Sequence, residues 1–185
     1  IVSSVVAAIA LSVGDTLIAA SAFAMLAALG GFFVWNFPKG RIFLGDCGAY
    51  FAGFFLAWLA VLVVERNDAV SPWAILVVFG YPITETVFTI FRRKLKKQST
   101  LNAPDPDHLH SMVLKNWASS QVSKSTLWVQ NCVSAIVMLV PSVGFAFSGY
   151  YLSHSSSLSQ AAYVGFFAVY SIFYFALKKL GERTR

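Results

Sequence analysis

The chain has 185 residues, of which 57% are hydrophobic and 12% charged, and its mean hydropathy is +0.67. That balance excludes an ordinary soluble domain and describes an integral membrane protein. A net charge of +6 accompanies no soluble basic module, which argues against a nucleic-acid partner and for contact with the lipid bilayer.

A spanning helix needs about 20 largely apolar residues. Six stretches come close to that length, at approximately 1–15, 16–37, 48–64, 71–91, 125–150 and 159–178. The expected fold is therefore all-α, a polytopic bundle of about six transmembrane helices forming a single integral-membrane domain over 1–185. Small residues such as Gly30, Gly31, Gly48 and Gly53 would allow close helix contact. The first stretch is short and begins on Ile1, which suggests a record that starts inside a longer protein. A cleaved signal peptide fits less well, because no basic flank precedes it and no small-residue cleavage site follows.

Of the 14 Lys and Arg, only Arg66 lies in the connections after the first, third and fifth stretches. The others fall in the Pro38–Asp46 loop, in the long Arg92–Lys124 loop, or in the tail with Lys178, Lys179, Arg183 and Arg185. Basic residues concentrate on the cytoplasmic side, so both loops and the C-terminus are expected there, in a cytoplasmic (inner) membrane. The two cysteines, Cys47 in a loop and Cys132 in a span, do not suggest a structural disulfide. There is no Cys/His zinc spacing, no soluble nucleotide fingerprint and no internal repeat.

The loop after the second stretch runs Asn36-Phe37-Pro38-Lys39-Gly40-Arg41-Ile42-Phe43-Leu44-Gly45-Asp46-Cys47-Gly48. Gly45 and Gly48 let the backbone turn and approach a ligand closely. Asp46 between them is a hard oxygen ligand of the kind Mg²⁺ prefers, with water and substrate phosphates completing the shell. Taken alone, Asp46 reads first as the cap of the following helix, expected to start near Ala49, and only second as a metal ligand.

The fourth stretch carries Pro82 and an intramembrane carboxylate, Glu85, which either lines a cavity or serves as a hydrogen-bond partner for a neighbouring helix. Beyond it, the cluster Arg92-Arg93-Lys94-Leu95-Lys96-Lys97 reads as a stop-transfer anchor. Pro104-Asp105-Pro106-Asp107-His108-Leu109-His110-Ser111 then sets two imidazoles two residues apart. His108 and His110 suit phosphate contact or proton transfer near neutral pH, or loop capping and surface polarity. They are a poor metal pair, because no third His or Cys stands nearby. His154, in a Ser-rich connection, is expected to be solvated.

Together these loops resemble the polyprenyl-phosphate N-acetylhexosamine-1-phosphate transferases, often labelled glycosyltransferase family 4, and most closely the bacterial undecaprenyl-phosphate sugar-1-phosphate transferases. The resemblance rests on Asn36 with Pro38-x-x-x-Ile42-Phe43-Leu44-Gly45-Asp46-x-Gly48 and on Asp107-His108-Leu109-His110. It extends through Ala49-Tyr50-Phe51, Tyr81-Pro82-Ile83-Thr84-Glu85 and Arg92-Arg93. It implies transfer of a sugar 1-phosphate from a UDP-amino sugar such as UDP-GlcNAc to undecaprenyl phosphate, releasing UMP, in cell-envelope polysaccharide (for example lipopolysaccharide) synthesis. It also implies Mg²⁺, or Mn²⁺ in its place, at Asp46, the uridine at Asn36 and Phe43, and Asp107, His108 and His110 closing over the diphosphate. A homodimer is one assembly it allows.

Two departures from the pattern matter. Ser111 stands where many members carry a further histidine. The family's paired aspartates and its Asn-x-x-Asp-Gly-type segment have no counterpart here, so the chain reads as a C-terminal portion that is inactive alone. The competing classes are a transporter or interaction subunit that binds anionic lipid, and the muramoyl-pentapeptide phosphotransferase branch of the same family.

Overall fold

The computed structural model describes residues 1–95, 109–113 and 127–183, and among them all regular structure is helical. The helices are α1 (Val2–Ser12), α2 (Thr16–Asn36), α3 (Gly45–Glu65), α4 (Pro72–Val78), α5 (Gly80–Leu95), α6 (Leu109–Val113), α7 (Leu127–Tyr151) and α8 (Ser156–Arg183). Each of the six apolar stretches folds as helix, which bears out the all-α class. The number of spans is not confirmed at six. Three described helices are long and apolar enough to cross a bilayer, α2, α3 and the Ser156–Lys179 part of α8, with a fourth if α4 and α5 count as one broken span.

The shortfall has local causes. Helix α1 has 11 residues, about 17 Å at 1.5 Å per residue, well short of a hydrocarbon core of about 30 Å. The 71–91 stretch breaks at Phe79, where α4 ends and Gly80 begins α5. Pro82 follows; it has no N–H to give the carbonyl four residues back, and its ring crowds that carbonyl.

The described residues form two compact units, residues 1–79 with 143–163, and 80–142 with 164–185. In the first, α1 supplies a fully buried face, Val6, Ala7, Ile9 and Ala10, that packs with Ile18, Ala19 and Ala22 of α2 and Leu59, Ala60 and Val63 of α3. Alanines at this seam bring backbones close, and Ser3 Oγ donates to the Ala22 carbonyl at 2.7 Å. The outer faces remain exposed and strongly apolar, with Phe23, Phe33, Val34, Phe54 and Trp58 among them. Such surfaces are stable facing lipid, and the protein is membrane-integral.

Polar bonds join the three connections α1–α2, α3–α4 and α7–α8. Asp15 caps α2 by accepting from the Ile18 N–H at 3.2 Å, and its other oxygen accepts from Arg66 Nε at 2.7 Å. Ser71 N–H donates to the Ser153 carbonyl at 2.7 Å, the Ser71 and Ser156 hydroxyls meet at 2.9 Å, and His154 Nδ1 lies 2.9 Å from the Ala69 carbonyl. His154, expected to be solvated, thus ties two connections together. These are the connections the charge pattern had placed on one side, and the Asn36–Gly48 loop lies at the other end of α2.

Two stability predictions follow from this unit. Gly149 of α7 packs on α4 so closely that a Cβ there would lie 2.5 Å from Val78 Cγ2 and 2.9 Å from the Ala74 carbonyl oxygen. Gly149→Ala should cost about 1–3 kcal/mol, read as a lower Tm in detergent. The Arg66 hydrogen bond holds the Asp15 carboxyl below its ordinary value of 3.8. A carboxylate depressed in the folded state stabilises above its unfolded pKa and loses that contribution as pH falls through the folded pKa. Wild type should therefore exceed Asp15→Ala by about 1–2 kcal/mol at pH 7, with Arg66 half exposed and its share screened. The gap should hold constant to about pH 5 and narrow below about pH 4; a gap that widens in acid would exclude the ion pair as its source.

Candidate active site

Helix α2 ends on Asn36, and this residue organises the loop that follows. Its carbonyl accepts the Gly40 N–H at 2.7 Å, and its side-chain Oδ1 accepts the Ile42 N–H at 3.1 Å. Gly40 and Gly45 take positive φ, +61° and +69°, a region that side-chain-bearing residues resist. Phe33 and Phe37 stack at 5.0 Å across the end of α2, and the Arg41 guanidinium sits 5.6 Å from the Trp35 ring centroid. Stabilised in this way, the loop projects Phe43 almost wholly into the surroundings, at 93% exposure.

Helix α3 starts at Gly45, four residues before the expected Ala49, and the motif's second half therefore lies on a helix rather than in a loop. Leu44 occupies the cap position and makes no side-chain cap bond, so Asp46 is not the N-cap. Instead Asp46 lies in the first turn, exposed, where a carboxylate complements the helix dipole. It makes no hydrogen bond or ion pair with another described residue.

Gly48 has a packing role one turn on. A Cβ there would come within 2.8 Å of Leu44 Cδ1 and 2.9 Å of its Cγ, so a side chain at this position would push the Leu44 side chain aside. Leu44 then closes one end of an apolar groove of about 470 Å³ between α2 and α3, lined by Met25, Phe32, Phe51 and Phe55 among others.

Asp107 and His108 lie outside the described residues. His110 is on α6, a short helix within what the sequence presents as a continuous loop. The missed signal was the spacing of Leu109, Met112 and Val113, an i, i+3, i+4 pattern. All three are buried, in a cluster with Met138 of α7 and Tyr170 and Tyr174 of α8. Glu85 of α5 accepts the Leu109 N–H at 3.0 Å and the Tyr170 hydroxyl at 2.5 Å. Its expected role as a hydrogen-bond partner for a neighbouring helix is realised. The structure thus brings Asn36, Phe43, Gly45, Asp46 and Gly48 into one loop and helix start in the first unit, and sets His110 in the second.

Among the described residues no group of three or more His, Cys, Asp or Glu side chains could enclose a metal ion. Asp46 offers a single unengaged carboxylate, which fits a metal held by one protein ligand together with water and phosphate oxygens better than a closed cage.

The model of glycosyl transferase family 4 matches residues 1–64, the segment from α1 through α3 that contains the Asn36–Gly48 loop. The chain is 31% identical over 138 residues to a probable undecaprenyl-phosphate N-acetylglucosaminyl 1-phosphate transferase of Bacillus subtilis, covering 74% of this chain and 38% of that protein. It is 25% identical over 149 residues to the undecaprenyl-phosphate alpha-N-acetylglucosaminyl 1-phosphate transferase of Haemophilus influenzae, covering 80% and 39%. With the Escherichia coli K12 protein of that name it shares 27% over 107 residues, 55% of this chain and 29% of the other. The chain thus spans less than two-fifths of the length of these curated relatives, and no solved structure matches it significantly. With the loop motif, the helical membrane fold and these likenesses in agreement, the chain belongs to glycosyl transferase family 4.

Proposed function

We propose that this chain is part of an enzyme that transfers a sugar 1-phosphate, of N-acetylglucosamine or a close relative, from a UDP-sugar to undecaprenyl phosphate. An oxygen of the lipid phosphate attacks the sugar-bearing phosphorus, the bond to the bridging oxygen breaks, and UMP leaves. The observation that carries this reading is Asp46, an exposed carboxylate with no described partner, on the first turn of a membrane helix and directly after a loop bearing Lys39 and Arg41. The relatives' names support undecaprenyl phosphate as acceptor and N-acetylglucosaminyl 1-phosphate as the transferred group, and the UDP-sugar donor is part of the proposal.

In this reading Asp46 holds Mg²⁺, or Mn²⁺, together with substrate phosphates. The metal supplies neutralisation of charge on the transferring phosphoryl group. Phe43, held outward by the braced loop, stacks on the uracil. Asn36 commits Oδ1 to Ile42 and so keeps its amide group as a donor for the base. Gly45 keeps the approach to Asp46 free of a side chain, and Gly48 leaves room for Leu44 beside the first turn that carries Asp46. Asp107, His108 and His110 close over the diphosphate, where imidazoles suit proton movement near neutral pH. The loops and the C-terminus face the cytoplasm, the side on which UDP-sugars are available.

Activity is best followed as UMP release by the intact protein in membranes, with UDP-GlcNAc and undecaprenyl phosphate. Asp46→Asn should lower kcat on the order of 10²–10³-fold, and His110→Ala about 10²-fold. Phe43→Ala should raise KM for the UDP-sugar roughly tenfold, as loss of a stacking contact of about 1.4 kcal/mol would. Chelation should abolish turnover and added Mg²⁺ or Mn²⁺ restore it. Undiminished activity in both Asp46→Asn and His110→Ala would sink the proposal.

A further inference from the structure

Glu85 lies half-buried in the middle of the amphipathic helix α5, where a carboxylate removed from water is costly unless donors meet it. Both of its oxygens are met, by groups far apart in the chain. Oε1 accepts the Leu109 N–H at 3.0 Å from α6, and Oε2 accepts the Tyr170 hydroxyl at 2.5 Å from α8. Tyr81, Glu85 and Phe88 are spaced to share one face of α5. Tyr81 donates to Met138 Sδ at 3.3 Å, and Phe88 packs edge-on against Tyr170 at 5.4 Å and tilted against Tyr174 at 4.6 Å. The Leu109 side chain is 1% exposed, so α6 is held by an apolar anchor and a backbone hydrogen bond at the same residue.

His108 and His110 are the covalent neighbours of Leu109. We propose that Glu85, braced by Tyr170, is the positioning residue of the histidine segment. By clamping the Leu109 amide it fixes the start of α6, the helix that carries His110. This rests on the reading above for what the imidazoles do, but the clamp itself concerns only α5, α6 and α8. A charge-assisted hydrogen bond in a low-dielectric setting is strong enough to hold a five-residue helix that has little stability of its own.

The test uses the full-length protein in lipid nanodiscs, with Glu85→Leu, Glu85→Gln and Tyr170→Phe compared by amide hydrogen exchange and by UMP-release kinetics. Glu85→Leu removes both acceptors and should speed exchange at residues 109–113 at least tenfold, with the α1 amides unchanged. Tyr170→Phe should speed it about threefold. Glu85→Gln keeps an acceptor for Leu109 and should stay within twofold of wild type. In activity, Glu85→Leu should lower kcat at least tenfold with KM for the UDP-sugar changed by less than threefold, and Glu85→Gln should recover to within threefold of wild type.

Unchanged exchange at residues 109–113 in both Glu85→Leu and Tyr170→Phe overturns the clamp. So does a Glu85→Gln protein that loses activity as fully as Glu85→Leu while its exchange stays normal, because the carboxylate would then act chemically rather than by position. If Glu85→Leu does not insert, Tyr170→Phe and Glu85→Gln decide alone. A wild-type protein that releases no UMP yet shows the exchange pattern supports the clamp and removes the transferase reading.

Discussion

A lipid solvent offers no hydrogen bonds, and the rest of this structure depends on that constraint. Every peptide group at membrane depth must be satisfied within its own segment, which leaves helices as the architecture for a chain this apolar. The same constraint decides where polar chemistry can sit. It is confined to helix ends, to connections, and to the rare buried group whose partners are built into the fold. Asp15, the Asn36–Gly48 loop and Glu85 are one example of each.

The two ends of α2 show how differently such sites are used. At its start Asp15 is fully engaged, by the Ile18 amide and by Arg66, and a carboxylate satisfied in this way is structural. At its far end the Asn36 carbonyl and Oδ1 shape the loop, and Phe43 and Asp46 project from it exposed, with no hydrogen-bond or ion-pair partner for Asp46 among the described residues. A side chain that the fold supports but does not satisfy is available to a ligand. Glycine makes that availability affordable at Gly45, by its positive φ, and at Gly48, by the space it leaves for Leu44.

Composition and hydropathy made the helical class and the six apolar segments legible, because burial in lipid leaves a signal in every residue of a span. Segment length did not translate into span count. The break at Phe79 depends on a proline three residues later, and α1 owes its stability to packing by alanines and valines, not to its length. In the candidate site, the motif and its carboxylate could be read directly, and its local geometry could not. Whether Asp46 capped α3 depended on whether the helix started at Ala49 or at Gly45, a four-residue shift that periodicity does not resolve. Tyr170 was invisible for a further reason: a tyrosine in an apolar run looks like any aromatic until its partner, 85 residues away, is known.

That long-range bond also explains how α5 carries Glu85 in its middle. An isolated carboxylate there would favour any conformation that exposed it to water. Two donors from different elements reverse this preference, since the carboxylate loses the Leu109 N–H if α6 moves away and the Tyr170 hydroxyl if α8 does. The burial cost that makes an intramembrane acid rare then becomes the cost of displacing α6, paid only when Leu109 leaves its place. An apolar residue at position 85 could fill the same volume, and Leu109, Met112 and Val113 could still pack. What it could not do is hold one particular amide at one distance, and that directional restraint is what the proposed placing of His110 asks of α6, more than additional burial.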